Sequence, residues 1–243
     1  MTGDQGVVRE VRATLEKEPR IDLHRDNVRM QFNDGVMTLE GEVANIAAKR
    51  LTLELAAAPP EVSGIVDRLH VTPAQVMGDG EIADHLQRAL LGDSSFDGCA
   101  IVVSVRTKTR TIRELAPERQ CDWIEIHVDK GIVTLNGQLP SLSHKRLAGV
   151  LAWWVPGSRD VVNGIAVEPV EEDNAAEVID AVRIALEKDA FVNATQIRID
   201  CEERVVTLSG LATSETEQAM AEFDAWAVFA VDNVINHIDV RAT

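Results

Sequence analysis

The sequence predicts an α+β protein of three small tandem modules, each with the order helix, strand, strand, helix, strand. A nine-residue phrase occurs three times, as GVMTLEGEV at residues 35–43, GIVTLNGQL at 131–139 and RVVTLSGLA at 204–212. The valine that closes each module lies 30 residues after the glycine in the seventh place of its phrase. Stretches with helical period flank each phrase. Identical spacing in three copies indicates an internal repeat.

Each phrase forms the second half of a predicted β-hairpin. Apolar and polar residues alternate on both sides of a polar turn, as in NVRMQFNDGVMTLEG at residues 27–41, and this period is typical of a hairpin. The third copy has Arg204 where the others have the turn glycine, which predicts a different turn there. The remaining glycines of the pattern are expected to serve turns or close backbone approaches at strand ends. The glycines with a predicted structural role are Gly35, Gly41, Gly131, Gly137 and Gly210.

Two amphipathic helices and a short closing strand complete each module. Helical period precedes the hairpin, as in VVREVRATLEKE at residues 7–18, and returns after it, as in SETEQAMAEFDAWA at residues 214–227. The closing strand of the third copy is NVINHIDV at residues 233–240. Because one apolar sheet face must be covered, we expect two helices to pack on a three-stranded mixed sheet in each module.

Two polar, proline-containing linkers divide the chain. The predicted modules are module one at residues 1–74, module two at 79–170 and module three at 174–243. Module two departs from the other two because an insertion of about 20 residues, near residues 103–122, separates its first helix from its first strand.

These motifs resemble the BON domain, named for bacterial osmotic-stress and nodulation proteins. The resemblance rests on the hairpin pattern Asp/Asn-x-Gly-x-Val-Thr-Leu-x-Gly and on the closing strand, best seen as VDNVINHIDV at residues 231–240. It covers nearly the whole chain in three copies and implies small α+β modules without catalytic residues. Relatives are associated with phospholipid or membrane-surface binding, with envelope and osmotic stress, and in one case with potassium. By this resemblance we expect a non-enzymatic protein that binds a phospholipid or membrane surface under osmotic or envelope stress. The alternatives are a cytoplasmic stress protein that binds potassium or another cation, and a protein-interaction scaffold. Most relatives are exported.

The net charge and the composition limit the classes of partner that the chain is expected to bind. The net charge of -16 disfavours nucleic acid, because phosphates are repelled. Most of that charge falls in the last third of the chain, where the alternatives are a solubilising surface and a site for cations or a basic partner. The N-terminus lacks the apolar core of a signal peptide, and no apolar run approaches the ~20 residues that span a bilayer. We therefore expect a soluble cytoplasmic protein, unlike most relatives.

No motif for catalysis or for a bound cofactor is present. The six His show no metal-ligand spacing, and nucleotide-binding or nucleophile motifs are absent from the sequence, which predicts a protein without enzymatic activity. A potassium ion held by oxygen ligands is the alternative to no cofactor. Cys201 lies at a core position of its strand. Cys99 and Cys121 bracket the insertion and are expected to be free thiols, although they could come close in space.

Two groups of side chains are candidates for a binding surface. The insertion concentrates basic residues, which predicts either a solvated mobile loop or a contact for anionic lipid or an acidic partner, including a second copy of the chain. Trp154 follows Trp153, and two adjacent helical residues cannot both face the core, so one is expected to be partly exposed as a membrane or protein contact. The candidate residues are Trp154, Lys145, Arg146, Arg106, Lys108, Arg110 and Arg113.

Overall fold

A computed structural model describes residues 2–105, 108–114 and 122–241. The chain forms two compact units, Met1–Thr72 and Pro73–Thr243. The first unit holds module one, and the second holds modules two and three. Helices and mixed sheets alternate in the predicted order in every module, so the predicted α+β fold class is confirmed.

Module one contains α1 (Thr2–Leu15), β1 (Arg29–Asn33), β2 (Val36–Val43), α2 (Ile46–Ala57) and β3 (Gly64–Val71). Its sheet has the order β1-β2-β3, with β1 antiparallel and β3 parallel to the central strand. The helices α1 and α2 contact each other and the sheet, as expected for a sheet with one apolar face.

Module two begins with α3 (Asp79–Gly92), β4 (Ala100–Val105), β5 (Lys108–Arg113), β6 (Trp123–Asp129) and β7 (Ile132–Leu139). The strands β6 and β7 form the repeated hairpin. The strands β4 and β5 come from the inserted region, so the interpretation of its described part as a solvated loop is wrong. The reason is local: AIVVSV in β4 is an apolar, β-branched run that pairs in parallel with β6.

The rest of module two follows the predicted plan. It contains α4 (Leu142–Trp153) and a closing strand in two pieces, β8 (Asp160–Asn163) and β9 (Ala166–Val167), both parallel to β7. The sheet order is β5-β4-β6-β7-β8 with β9 also on β7, so the expected three-stranded sheet is present and is extended at the β6 edge.

Module three contains α5 (Ala175–Lys188), β10 (Ile197–Glu202), β11 (Val205–Ala212), α6 (Glu215–Ala227) and β12 (Asn233–Val240). Its sheet has the order β10-β11-β12 and repeats the pairing of module one. Contacts of α4 with α5 and α6 join modules two and three.

The hairpin turn is the same in all three modules. Asp34 and Gly35 have φ values of 48° and 81°, and the corresponding Glu203 and Arg204 have 46° and 68°. The prediction of a different third turn is therefore wrong. Arg204 is held in this left-handed conformation by contacts of its side chain, whose Nε donates to the Ala230 carbonyl at 3.0 Å.

The second repeated glycine lies inside a strand and not at its end. At Gly41, Gly137 and Gly210 the φ values are +147°, +148° and +136°. A Cβ at these positions would lie 2.0–2.1 Å from a backbone carbonyl oxygen of the preceding strand or its approach. Close backbone approach thus explains why the glycine recurs.

Each second helix begins at an equivalent polar cap. The side chains of Asn45, Ser141 and Ser214 accept hydrogen bonds from backbone N–H groups of α2, α4 and α6. Cys201 and Trp226 are buried in module three, Cys99 is buried in module two, and neither cysteine forms a disulfide. Cys121 lies outside the described residues.

Candidate functional site

The basic side chains of the inserted strands contact module two itself. Arg110 on β5 donates to Asp84 Oδ1 at 2.5 Å and to Gln87 Oε1 at 3.1 Å, both on α3. Arg113 donates to the carbonyl oxygens of Cys99, at 2.7 Å, and Phe96. Both arginines therefore connect the β4–β5 pair to other residues of module two.

The other basic residues of the insertion are placed differently. Lys108 is exposed at the start of β5. Arg106 lies outside the described residues.

Arg146 on α4 is fully buried. Its guanidinium forms an ion pair with Asp173 in the linker to module three, and its Nε donates to the Phe229 carbonyl of module three at 3.2 Å. Lys145 is half-buried, with its Nζ 5.3 Å from the centre of the Phe229 ring. Burial, and then the charge of Arg146, lowers the pKa of Lys145. These two side chains lie at the contact with module three.

Trp154 is half-buried at the end of α4, as is Trp153. The Trp154 indole packs against the core of module two, and its Nε1 donates to Asp224 Oδ1 on α6 at 2.8 Å. The indole N–H, which a membrane anchor presents to the interface, is therefore used inside the protein.

Asp224 is a buried carboxyl group with one oxygen, Oδ2, that has no hydrogen-bond partner among the described residues. Burial, together with the neighbouring carboxylate of Asp189, raises the pKa of Asp224 to about 8. When Asp224 is protonated, its Oδ1 still accepts from Trp154 and no second negative charge lies beside the Asp189 carboxylate. The carboxyl is therefore neutral near pH 7, and this polar contact joins modules two and three.

The candidate residues thus have two separate sets of partners. Lys145, Arg146 and Trp154 join module two to module three, whereas Arg110 and Arg113 hold the inserted strands. Sequence reasoning missed Asp224 and Asp173, because their role depends on helix packing between modules. The available sequence signal was that Asp224 lies three residues after Ala221, on the side of α6 that the helical period assigns to the core.

No group of three or more His, Cys, Asp or Glu with metal-binding geometry occurs among residues 2–105, 108–114 and 122–241. In the same residues, none of the helices has the length and apolar content needed to cross a bilayer.

A surface that sequence reasoning also missed lies along the first strand of module one. A groove of about 550 Å³ runs between α1 and β1. Val8, half-buried Met30 and Phe32 form its apolar part, and the exposed Asp4, Arg9 and Arg12 lie on its α1 side. Neither arginine forms an ion pair with any residue that the structure describes.

This α1–β1 groove continues into a second, more polar one of about 530 Å³. Arg12 and Met30 line both, and the second also includes Arg25 and Arg29. Arg29 pairs with Glu40 at 2.8 Å, and Arg25 lies 3.8 Å from Asp26. The two grooves together are lined by four arginines and two aspartates, Asp4 and Asp26, so this surface carries a local excess of basic residues in a chain with a net charge of -16.

The α1–β1 groove follows an open sheet edge. Among the described strands, β1 pairs only with β2, and β10 in module three pairs only with β11. The equivalent strand of module two, β6, is covered by β4. The signal for the groove was Arg9 and Arg12, three residues apart on the exposed side of an amphipathic helix.

The BON domain sequence model matches the chain at residues 3–73, 115–169 and 174–242. These regions make up most of the chain, with one in each module, and the second begins after α3, β4 and β5. No curated protein matches this chain.

Two solved structures of CdsD, a structural protein of the type III secretion system of Chlamydia trachomatis, are similar over most of their length. The structure of its C-terminal domain is 15% identical, with 97% of each chain covered and a TM-score of 0.25. The second is also 15% identical, with 98% of this chain and 93% of that chain covered and a TM-score of 0.25.

Proposed function

Because the chain belongs to the BON domain family, whose modules are generally non-catalytic binding domains, we propose that it is a scaffold that binds protein partners through its sheet edges. The observation that carries this proposal is the position of β4 in module two. There an extended segment is added in parallel to β6, the first strand of the repeated hairpin. The same edge is open at β1 and at β10.

An open edge strand presents unpaired backbone N–H and C=O groups, which are a ready template for another strand. Module two supports this reading, since its sheet carries the added strand β4 while its hairpin turn keeps the backbone conformation of the turn in module one. Three modules in one chain also allow several contacts to act together.

A phospholipid surface is the second candidate. Its support is the exposed arginine pair of module one, Arg9 and Arg12, which have no ion-pair partner among the described residues. The predicted lipid-binding residues of module two support it less, because Arg146 is buried and the Trp154 indole N–H donates to Asp224.

Site-specific photo-crosslinking tests the scaffold proposal. A photoreactive amino acid is placed at Gln31, which is exposed on β1, and at Glu61, which is exposed in the same unit away from that edge. We expect polypeptide adducts at Gln31 in cells that contain the natural partners, and none at Glu61. Lipid adducts alone at Gln31, or polypeptide adducts equally at both positions, would contradict the proposal.

A further inference from the structure

We propose that the α1–β1 groove of module one binds an extended acidic segment of a partner protein, which joins the sheet as a strand parallel to β1. This inference rests on the proposed scaffold function and names the chemistry of the partner.

Modules one and two correspond residue by residue along the hairpin. Aligning Gly41 with Gly137 places Met30 on Ile126 and Phe32 on Val128. In module two, Ile126 and Val128 are fully buried and lie opposite Val103 and Val105 of β4. In module one, Met30 is half-buried and Phe32 is buried, and no described strand occupies the place of β4.

The backbone of β1 offers hydrogen bonds toward the open edge. Asn33 and Val36 flank a two-residue turn and form the first pair of the β1–β2 ladder. In such a hairpin the closing pair is hydrogen-bonded, so alternate residues point their N–H and C=O groups away from the partner strand. These are Met30 and Phe32, the counterparts of residues that face β4 in module two.

The groove has an apolar floor of the kind that β4 covers in module two. The helices α1 and α3 align through their buried residues, with Val7 on Ile82 and Val11 on Leu86. This alignment places Val8 on Ala83, which belongs with Val103 to the buried core of module two. Alternating apolar side chains on an added strand therefore have a surface to bury against in module one.

The residues at the rim of the groove indicate which charge a bound segment should carry. The same helix alignment places Arg9 on Asp84 and Arg12 on Gln87. In module two, Asp84 and Gln87 bind Arg110 on β5, the inserted strand next to β4, where Arg110 lies opposite Val103. The charge is reversed in module one, so the complementary side chain on an added segment is a carboxylate.

Module three offers the contrasting edge. Its helix has Asp180 and Arg183 at the two rim positions, and the exposed residues of β10 include Asp200 and Glu202. Like charges across an interface are unfavourable. An acidic segment should therefore bind more tightly at β1 than at β10.

The probe is a fluorescein-labelled peptide, Thr-Val-Thr-Glu-Thr-Glu-Thr-Val-Thr. Its Val and Glu side chains share one face, and its two Glu lie about 6.7 Å apart in an extended strand, close to the ~5–6 Å between helix positions three apart. Control peptides replace both Glu by Lys or by Gln. A fourth carries N-methyl groups on the backbone nitrogens that would face β1. Binding to the full chain is measured by fluorescence anisotropy.

We expect the Glu peptide to bind at least about tenfold more tightly than the Lys peptide, and the N-methylated peptide not to bind. The double variant Arg9→Glu/Arg12→Glu should reverse this preference. Lys17→Glu/Arg68→Glu makes the same charge change at exposed positions of module one outside the α1–β1 groove and should leave the preference intact. Met30→Pro removes one backbone N–H that points to the open edge. It should weaken the binding of both the Glu peptide and the Lys peptide about fivefold.

The outcomes separate this inference from the scaffold proposal. If Glu, Gln and Lys peptides bind equally and Met30→Pro weakens them all, the acidic partner is wrong and the scaffold stands. If no peptide binds but phosphatidylglycerol–phosphatidylcholine vesicles bind through Arg9 and Arg12, both are wrong. If the purified chain dimerises through this edge at assay concentrations, the partner is a second copy and the inference is overturned.

Discussion

The contact between Trp154 and Asp224 predicts an unusual pH dependence of stability. Asp224 is 1% exposed and its pKa is raised to about 8, so the folded protein holds it in the neutral form near pH 7. The unfolded chain releases this proton near the ordinary value of 3.8. The favourable contribution is therefore complete below that value and is lost as the pH rises toward about 8.

The magnitude follows from the two pKa values. At 1.36 kcal/mol per pH unit the difference amounts to about 6 kcal/mol in all, an upper limit because the chain can relax around a charge. Between pH 5 and pH 7 the expected loss is about 2–3 kcal/mol. Asp224→Asn keeps an oxygen that accepts from Trp154 Nε1 and removes the titrating group, so the variant should lack this slope.

The assay is urea unfolding followed by tryptophan fluorescence at pH 5, 6, 7 and 8. All four Trp of the chain lie in the unit Pro73–Thr243, so the signal reports on the unit that contains Asp224. Asp180→Asn, which removes an exposed carboxylate of the same unit, should follow the wild type. Parallel stability curves for the wild type and Asp224→Asn would refute the reasoning.

Three further predictions concern stability in the same unit and use the same assay. Gly137→Ala should lower the free energy of unfolding by about 3 kcal/mol, because its Cβ would meet a carbonyl oxygen at 2.1 Å. Gly80→Ala, in α3 with open space around it, should instead raise that free energy by about 0.5–1 kcal/mol, and equal effects would exclude the close-approach explanation. Asp173→Asn should cost about 3 kcal/mol because it leaves the buried Arg146 guanidinium without its carboxylate, and a loss below about 1 kcal/mol would contradict that role. Ser214→Ala should cost about 1 kcal/mol through the lost cap of α6, and an unchanged midpoint would show that the cap contributes nothing.

The repeat made most of the fold predictable from sequence. The closing strands at residues 64–71 and 233–240 and the helices near residues 175–188 and 215–227 are where the periodicity places them. Hydrophobic periodicity indicates which residues of a helix or strand face a core. Because it depends only on neighbouring residues, it can be recognised in a single sequence. The predicted module boundaries remain a prediction.

The parts that sequence did not predict depend on contacts between distant residues. The pairing of β4 with β6 needs a choice of edge that no local pattern encodes. From its place beside Lys145 in the sequence, Arg146 is predicted to be an exposed base. In the structure it is buried, because α4 packs against module three. The prediction for the third turn is wrong for a related reason. The Arg204 side chain bonds to the distant Ala230 carbonyl, and this contact stabilises a backbone conformation that glycine usually adopts.

The most direct test of the central claim is amide hydrogen exchange of β1 with and without the Glu peptide. If a strand adds to this edge, the Met30 and Phe32 amides should become protected by the peptide, while the Gln31 amide, which faces β2, should already be protected and should change little. Peptide binding that leaves the exchange of Met30 and Phe32 unchanged would contradict strand addition at this edge.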